Sequence, residues 1–147
     1  MKPRRRCVLA LLLALVVSWP ALAADDAALR GFARAMGLAD ADGFIATVRT
    51  LDETGHLPMR YLRKDEAAKL GWRPGVDLCA LSPGRAIGGD IFSNRERRLP
   101  MRPGRHYFEA DLDAACGKRE AKRLVYSDDG LRFVTADHYR SFHAVPR

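Results

Sequence analysis

Apolar residues recur at helical spacing in the first half of the chain. Within residues 24–40, four of them fall on one helical face, which predicts a short helical extension that packs onto the following domain. A second helix is expected to begin at Asp42, a good N-cap, and to end at Gly55. The two apolar stripes are Leu29, Phe32, Ala33 and Met36, then Phe44, Ile45, Val48 and Leu51.

Shorter elements follow. Lys64 to Leu70, closed by Gly71, is typical of a short helix, and a further helical turn is expected at Leu78 to Leu81, before Pro83-Gly84. Strands are predicted beyond it, with Asp129-Gly130 as a hairpin turn. The predicted strands are Ala86–Phe92, Tyr107–Leu112, Arg123–Ser127, Leu131–Thr135 and Ser141–Val145. Helices followed by consecutive strands imply an α+β fold, with N-terminal helices packed on an antiparallel sheet.

The N-terminus has the pattern of a secretory signal. Lys2 and Arg4 to Arg6 precede an apolar run of 11 residues from Cys7 to Val17, and Ala21-Leu22-Ala23 is a small-x-small cleavage site. The run is too short to span a bilayer, which needs about 20 helical residues. We therefore expect a signal peptide over 1–23 and a mature chain from Ala24. The alternative is a retained membrane anchor.

Basic residues cluster in the second half of the chain. Removing residues 1–23 takes away four basic and no acidic side chains and lowers the net charge from +7 to +3. Clustered cations suit a polyanion such as nucleic acid, and a solvated basic surface is the alternative. The clusters are Arg95, Arg97, Arg98, Arg102 and Arg105, then Lys118, Arg119, Lys122 and Arg123.

The mature chain keeps two cysteines, Cys79 and Cys116. An even count in an exported protein is typical of one disulfide, and two buried free thiols are the alternative. No motif for zinc, calcium or a nucleotide phosphate loop is present, so no metal or cofactor is predicted.

Among the four histidines, His138 has the most suggestive position. It follows a predicted strand at a turn, where reactive side chains are often carried, whereas His56, His106 and His143 have positions typical of loop or structural residues. A carboxylate, a histidine and several arginines together suit RNA cleavage through the RNA's own 2′-hydroxyl. A base removes the 2′-proton, an acid protonates the leaving 5′-oxygen, and arginines stabilise the phosphoryl oxygens.

The segment Ala86-Ile87-Gly88-Gly89-Asp90-Ile91-Phe92-Ser93-Asn94-Arg95-Glu96 resembles the barnase–binase family of microbial guanyl-preferring ribonucleases. The resemblance continues, in order and spacing, from Asp42 to Phe142. Further matching blocks are Tyr61 to Lys64, Leu70 to Trp72, Phe108 to Asp111, Arg119, Arg123 to Ser127, and Asp137 to Tyr139. The domains expected from this match are a 24–40 extension and a 41–147 ribonuclease domain, with the sheet having about five strands.

The resemblance implies roles for individual residues. Glu109 corresponds to the general base and His138 to the general acid. Arg119 and Arg123 correspond to phosphate-binding arginines, and Lys64 to a lysine that stabilises the transition state. Asp90 is implied to help hold the charged network. The residues implied in guanine recognition are Ser93, Asn94, Arg95 and Glu96. Phe92 and Tyr139 correspond to aromatic neighbours of the general base and the general acid, which is consistent with stacking as a route to RNA recognition.

The same resemblance implies a reaction and partners. RNA would be cleaved after guanosine to a 2′,3′-cyclic phosphate, which is then hydrolysed more slowly to a 3′-phosphate, without a cofactor. A small acidic inhibitor similar to barstar is implied, as are a monomeric state and a periplasmic or extracellular location. A basic RNA-binding protein without catalysis, and use of the same activity as an antibacterial toxin, stay open as alternatives.

Several positions depart from the family pattern. Tyr107 and Gly130 replace tryptophans, and loss of the second should remove an aromatic contact from His138. Lys122 replaces an acid beside Arg123, which predicts weaker hairpin packing or tighter RNA binding. The family commonly lacks cysteine, yet placing Cys79 and Cys116 on its fold brings them close, so the resemblance predicts a Cys79–Cys116 disulfide.

Overall fold

The computed structural model describes residues 25–117 and 119–147. The expected signal peptide, its cleavage site, the start at Ala24 and the side chain of Lys118 lie outside the described residues. Within those ranges, no helix combines the length and apolar character needed to cross a membrane.

The described chain contains four helices and six strands. The helices come first, except that one short strand lies between the second and third helices. The helices are α1 (Asp26–Ala35), α2 (Ala41–Thr54), α3 (Lys64–Lys69) and α4 (Leu78–Leu81), and the strands are β1 (Tyr61–Leu62), β2 (Ala86–Phe92), β3 (Tyr107–Asp111), β4 (Arg123–Ser127), β5 (Arg132–Thr135) and β6 (His143–Ala144). The predicted α+β class is confirmed.

Helix α2 begins two residues before the predicted position. Asp40, not Asp42, is the N-cap, and its Oδ1 accepts a hydrogen bond from the Gly43 amide at 2.8 Å. Asp42 instead lies in the first turn and forms an ion pair with Arg30 at 2.7 Å. Both aspartates suit a cap by residue type, so the choice depends on the backbone path from α1. The predicted end at Gly55 is confirmed, since Gly55 has φ +74°.

The sheet has the order β1-β2-β3-β4-β5-β6. Its five strands from β2 to β6 are antiparallel, as predicted, whereas β1 is an additional strand that pairs parallel to β2. Two residues carry too little periodicity to identify such a strand from sequence. The predicted hairpin between β4 and β5 is present, and Gly130 in its turn has φ +99°.

Gly88 and Gly89 allow a bulge in β2 and a close approach of Tyr61 to its backbone. The register of β2 against β3 shifts between Gly88 and Asp90, and Gly89 has φ +97°. A Cβ at Gly88 would lie 2.6 Å from Cδ1 of Tyr61, so only glycine fits there without displacing that ring. The bulge brings Asp90 opposite Glu109 on β3.

The two faces of the sheet have different surroundings. Ala110 and Leu124 belong to the main core between the sheet and helices α1 and α2, while Tyr107 and Val125 belong to a smaller cluster on the opposite face. Because side chains alternate along a strand, Glu109 shares the face of Tyr107 rather than that of Ala110. The helices therefore cover one face and leave the other for polar side chains.

Helix α1 packs into the main core. Leu29 and Ala33 are fully buried there, and the Phe32 ring stacks on Phe44 at 5.9 Å between centroids. Asp113 accepts hydrogen bonds from the amides of Ala39 and Asp40, both at 2.9 Å. The extension is thus continuous with the core that supports the sheet.

Candidate active site

Glu109 lies on the open face of the sheet, at the middle of β3. Its side chain is 13% exposed, and its Oε1 accepts a hydrogen bond from Lys64 Nζ at 2.9 Å. The hydroxyl of Tyr139 donates to Oε2. Burial alone would raise the pKa of Glu109, but the hydrogen bonds from Tyr139 and Lys64 and the charges of Lys64 and Arg123 outweigh it and lower that pKa below its ordinary value. The carboxylate is therefore ionised at neutral pH.

Asp90 fixes the start of the helix that carries Lys64. The Lys64 amide donates to Asp90 Oδ2 at 3.1 Å, where α3 begins. An acid at this position satisfies an amide that has no partner inside the helix. Lys64 is thus anchored to β2 through its backbone amide, while its ammonium group donates to Glu109.

Two arginines of the predicted phosphate site share one buried carboxylate, Asp111. Arg119 donates from Nε and Nη2 to its two oxygens, both at 2.6 Å, and Arg123 Nε lies 2.9 Å from Oδ1. Arg123 is 5% exposed and Arg119 31%, so Arg119 is the more accessible cation. Paired guanidinium groups keep their charge while losing freedom to rotate.

Asp111 has a role that sequence reasoning did not assign, although it lies within a matching block. The signal was available, because Asp111 follows Glu109 at the two-residue spacing that places both on one face of a strand. A buried acid two positions from a site carboxylate, facing two arginines, is typical of an orienting group.

His138 is exposed and lies in a tight turn after β5. Both His138 and Tyr139 have left-handed backbone conformations, with φ +55° and +68°. Asp137 holds the turn: its Oδ1 accepts from the amides of Arg140 at 3.0 Å and Ser141 at 2.9 Å. Hydrogen bonds from the Ser141 side chain and amide lower the pKa of Asp137 to about 2. Asp137 is a second supporting residue whose role the sequence did not reveal, because an Asx-type turn depends on backbone geometry.

Tyr139 brings the two predicted catalytic groups together. Its hydroxyl contacts Glu109, and its ring lies 4.9 Å from the adjacent His138 ring, between centroids. His138 also lines a groove of about 660 Å³ with Arg119 and Arg123. A carboxylate, an imidazole and two guanidinium groups therefore border one surface of the sheet. Gly130 supplies no side chain to this surface, and a Cβ there would meet nothing within 4 Å.

A second, smaller pocket of about 230 Å³ lies beside this groove. It includes every residue implied in guanine recognition and both predicted aromatic neighbours, and it adds Arg98 and Phe142. The lining residues are Phe92, Ser93, Asn94, Arg95, Glu96, Arg98, Tyr139 and Phe142. Stacked aromatic rings form one wall, with 5.3 Å between the centroids of Phe92 and Tyr139.

Asn94 gives the pocket loop its shape. Its side chain is buried, donates to the Leu99 carbonyl at 3.0 Å and accepts from the Leu99 amide at 3.1 Å. Its own φ is +43°, a conformation that asparagine tolerates better than most residues. The Asn94 side chain is thus engaged inside the loop, which leaves backbone groups and Glu96 to face a ligand.

The predicted Cys79–Cys116 disulfide is present, with a Cα–Cα distance of 5.1 Å. It joins α4 to the loop after β3, three residues before Arg119. Other predicted or considered residues lie elsewhere: His56 follows α2, His106 pairs with Asp128 and His143 is on β6. Within residues 25–117 and 119–147, no group of three or more His, Cys, Asp or Glu side chains could hold a metal ion.

Comparisons with known proteins match this chain to one family. A family model described as ribonuclease matches residues 46–146. A ribonuclease of Heyndrickxia coagulans is 49% identical over 90 residues, which cover 60% of this chain and 83% of the relative. A ribonuclease of Bacillus intermedius is 49% identical over 90 residues, 60% of this chain and 56% of its own length.

A more distant relative carries a more specific description. The guanyl-specific ribonuclease St of Saccharopolyspora erythraea is 42% identical over 55 residues, which cover 37% of this chain and 54% of that protein.

Proposed function

The chain belongs to the barnase–binase family of microbial ribonucleases, and from this premise we propose that it is a guanyl-preferring endoribonuclease that cleaves single-stranded RNA without a metal ion. The observation that carries the proposal is the contact of Tyr139 with Glu109 beside His138. It leaves an ionised carboxylate and an accessible imidazole at one surface that also bears two arginines.

Each group has one chemical task in the proposed first step. Glu109 removes the proton from the ribose 2′-hydroxyl, and the 2′-oxygen attacks phosphorus. His138 gives a proton to the departing 5′-oxygen, which leaves a 2′,3′-cyclic phosphate. In the slower second step the roles reverse: His138 activates water and Glu109 returns a proton, which yields a 3′-phosphate.

The cations stabilise the charge that develops on the phosphoryl oxygens. Asp111 holds Arg119 and Arg123 in place before substrate arrives. Their side chains therefore lose little further rotational freedom when the transition state forms. Lys64, anchored through Asp90, adds a third positive charge next to the base. Together with the Tyr139 hydroxyl, Lys64 and Arg123 lower the pKa of Glu109 and favour its ionised form, as a general base requires.

Guanine is proposed to occupy the smaller pocket. Its N1–H and amino group would donate to the Glu96 carboxylate, and its ring would stack on Phe92 or Tyr139. Backbone groups of Ser93, Asn94 and Arg95 complete the base contacts, in keeping with the guanyl-specific description of the more distant relative.

Export is part of the same proposal. Residues 1–23 act as a signal peptide, and a monomeric mature chain consists of the 24–40 extension and a 41–147 ribonuclease domain. It reaches the periplasm or the exterior, where the Cys79–Cys116 disulfide is stable. Before export, a small acidic protein similar to barstar covers the basic groove, because acidic side chains complement its arginines.

The test is cleavage of guanylyl-3′,5′-uridine in the presence of a chelator, followed by chromatography. The cyclic phosphate should appear first and the 3′-phosphate later. Glu109→Ala and His138→Ala should each lower kcat/KM by at least about a hundredfold. Glu53→Ala and His56→Ala, which change exposed residues outside the site, serve as matched controls and should leave cleavage unchanged.

Other outcomes would favour a different function. RNA binding without cleavage by the wild type would indicate a non-catalytic binding protein. Activity that disappears with chelator, or that survives both active-site substitutions, would contradict the proposed mechanism.

A further inference from the structure

Arg98 lies in the wall of the smaller pocket, next to the carboxylate proposed to recognise guanine. Its Nε donates to Glu96 Oε2 at 2.6 Å. Both side chains line the pocket with Phe92 and Tyr139. The guanidinium therefore occupies one side of a carboxylate whose other oxygen and remaining lone pairs are available to a base.

The same guanidinium reaches a second loop. Arg98 Nη1 donates to the carbonyl of Arg140, which follows His138 and Tyr139 in the turn after β5. Arg98 and Arg140 are 42 residues apart in sequence. One side chain thus connects the base-recognition loop, residues 93–98, to the turn that carries the proposed general acid.

The Glu96 side chain needs such a partner because it is poorly restrained otherwise. It is 70% exposed, and Asn94 already fixes the backbone of the loop without contacting that carboxylate. An exposed glutamate loses side-chain rotational freedom when it must hold one orientation. A bond from Arg98, itself fixed by Arg140, supplies that orientation before a base binds.

We propose that Arg98 is a specificity-determining residue, which holds the Glu96 carboxylate toward the base and so strengthens the preference for guanine over adenine. This inference rests on the proposed function. Guanine presents two neighbouring donors to a carboxylate, while adenine presents an acceptor at N1 that an oriented carboxylate repels. A fixed carboxylate therefore discriminates more strongly than one that can turn toward water.

The experiment compares kcat/KM for guanylyl-3′,5′-uridine with that for adenylyl-3′,5′-uridine. In Arg98→Ala the guanosine-to-adenosine ratio should fall about fivefold, the size of effect that one well-placed surface ion pair can produce. Arg98→Lys keeps the charge but loses the forked geometry, and it should give an intermediate ratio.

Arg102→Ala is the matched control. Arg102 follows in the same segment, is exposed, and pairs with Asp129 at 3.6 Å rather than with Glu96. The Arg102→Ala substitution removes one positive charge, as Arg98→Ala does, so it shows how far a general weakening of the attraction to RNA lowers both rate constants. The guanosine-to-adenosine ratio should stay at its wild-type value even if both rate constants fall.

A double-mutant cycle shows whether Arg98 acts through Glu96. In a Glu96→Gln background, Arg98→Ala should no longer change the ratio. An unchanged ratio in Arg98→Ala, or an equal loss on both substrates, would overturn the inference and leave Arg98 as a surface ion pair or a phosphate contact. Wild-type cleavage with no base preference would also overturn it. Absence of any wild-type cleavage would instead refute the proposed function itself.

Discussion

At the scale of single residues, the properties of the site depend on pairs rather than on isolated groups. Glu109 is partly buried, which by itself would favour its neutral form. The Tyr139 hydroxyl and the Lys64 ammonium reverse that preference by donating to the ionised form. Glu109 thus owes its lowered pKa largely to residues 30 positions later and 45 positions earlier in the chain.

Tyr139→Phe tests this dependence. The substitution keeps the ring that stacks on Phe92 but removes a donor to Glu109, so the pKa of Glu109 should rise. Because Glu109 can act as the proposed general base only when ionised, the acid limb of the kcat/KM profile on guanylyl-3′,5′-uridine should move to higher pH. Tyr126→Phe, on the face that packs against Phe108, is the control and should leave that limb in place. An acid limb that does not move in Tyr139→Phe would contradict the coupling.

At the scale of elements, the connection from β3 to β4 is held at three points. Cys116 joins it to α4, Arg119 pairs with Asp111, and Lys122 Nζ donates to Asp113 Oδ2 and to the Gly37 carbonyl, both at 2.8 Å. Lys122, predicted from the resemblance to depart from the family pattern, thus binds the segment between α1 and α2. Its contacts in this chain are with protein groups.

The disulfide should contribute strongly to the stability of this connection. The cysteines are 37 residues apart, so closing that loop should stabilise the fold by about 4 kcal/mol in the chain-entropy model. The double substitution Cys79→Ser with Cys116→Ser should lower the urea midpoint accordingly. It should also raise KM, because Arg119 would be less restrained. The wild type measured in reductant should behave like the double variant, and an unchanged midpoint in either would contradict the prediction.

At the scale of the whole molecule, the N-terminal extension and the sheet share one core. Leu29 is fully buried with Phe44, Leu124 and Val134, which come from α2, β4 and β5. Trp72 belongs to a different cluster, formed with Leu62, Ala67, Leu78 and Ile87. Trp72 is the only tryptophan after residue 23, so its fluorescence reports on a region away from α1.

Leu29→Ala should therefore destabilise the molecule as a unit. Truncating a fully buried leucine costs about 2–5 kcal/mol, and urea unfolding followed by Trp72 fluorescence should show a loss of that size. Leu70→Ala changes a leucine that is 49% exposed and should shift stability by about 0.5 kcal/mol or less. If Trp72 unfolds at the wild-type urea concentration in Leu29→Ala, α1 is an appendage rather than part of the cooperative fold.

The sequence by itself determined the class of the fold and most of its elements. Helical and strand patterns depend on neighbours within a few residues, so α2, α4, β2 and β4 were predicted closely. A block as specific as residues 86–96 is enough to identify the family. The family match and the disulfide pairing were both confirmed.

Tertiary structure alone decided the remaining features, because they depend on contacts between distant segments. The parallel strand β1 exists only because β2 passes beside it. The choice of Asp40 as N-cap depends on the path of the backbone between the end of α1 and the start of α2. Asp137 in its turn and Arg98 between two loops acquire their roles from backbone paths that sequence spacing does not encode. Spacing along β3 places Asp111 on the face of Glu109, but only the fold brings the two arginines to it.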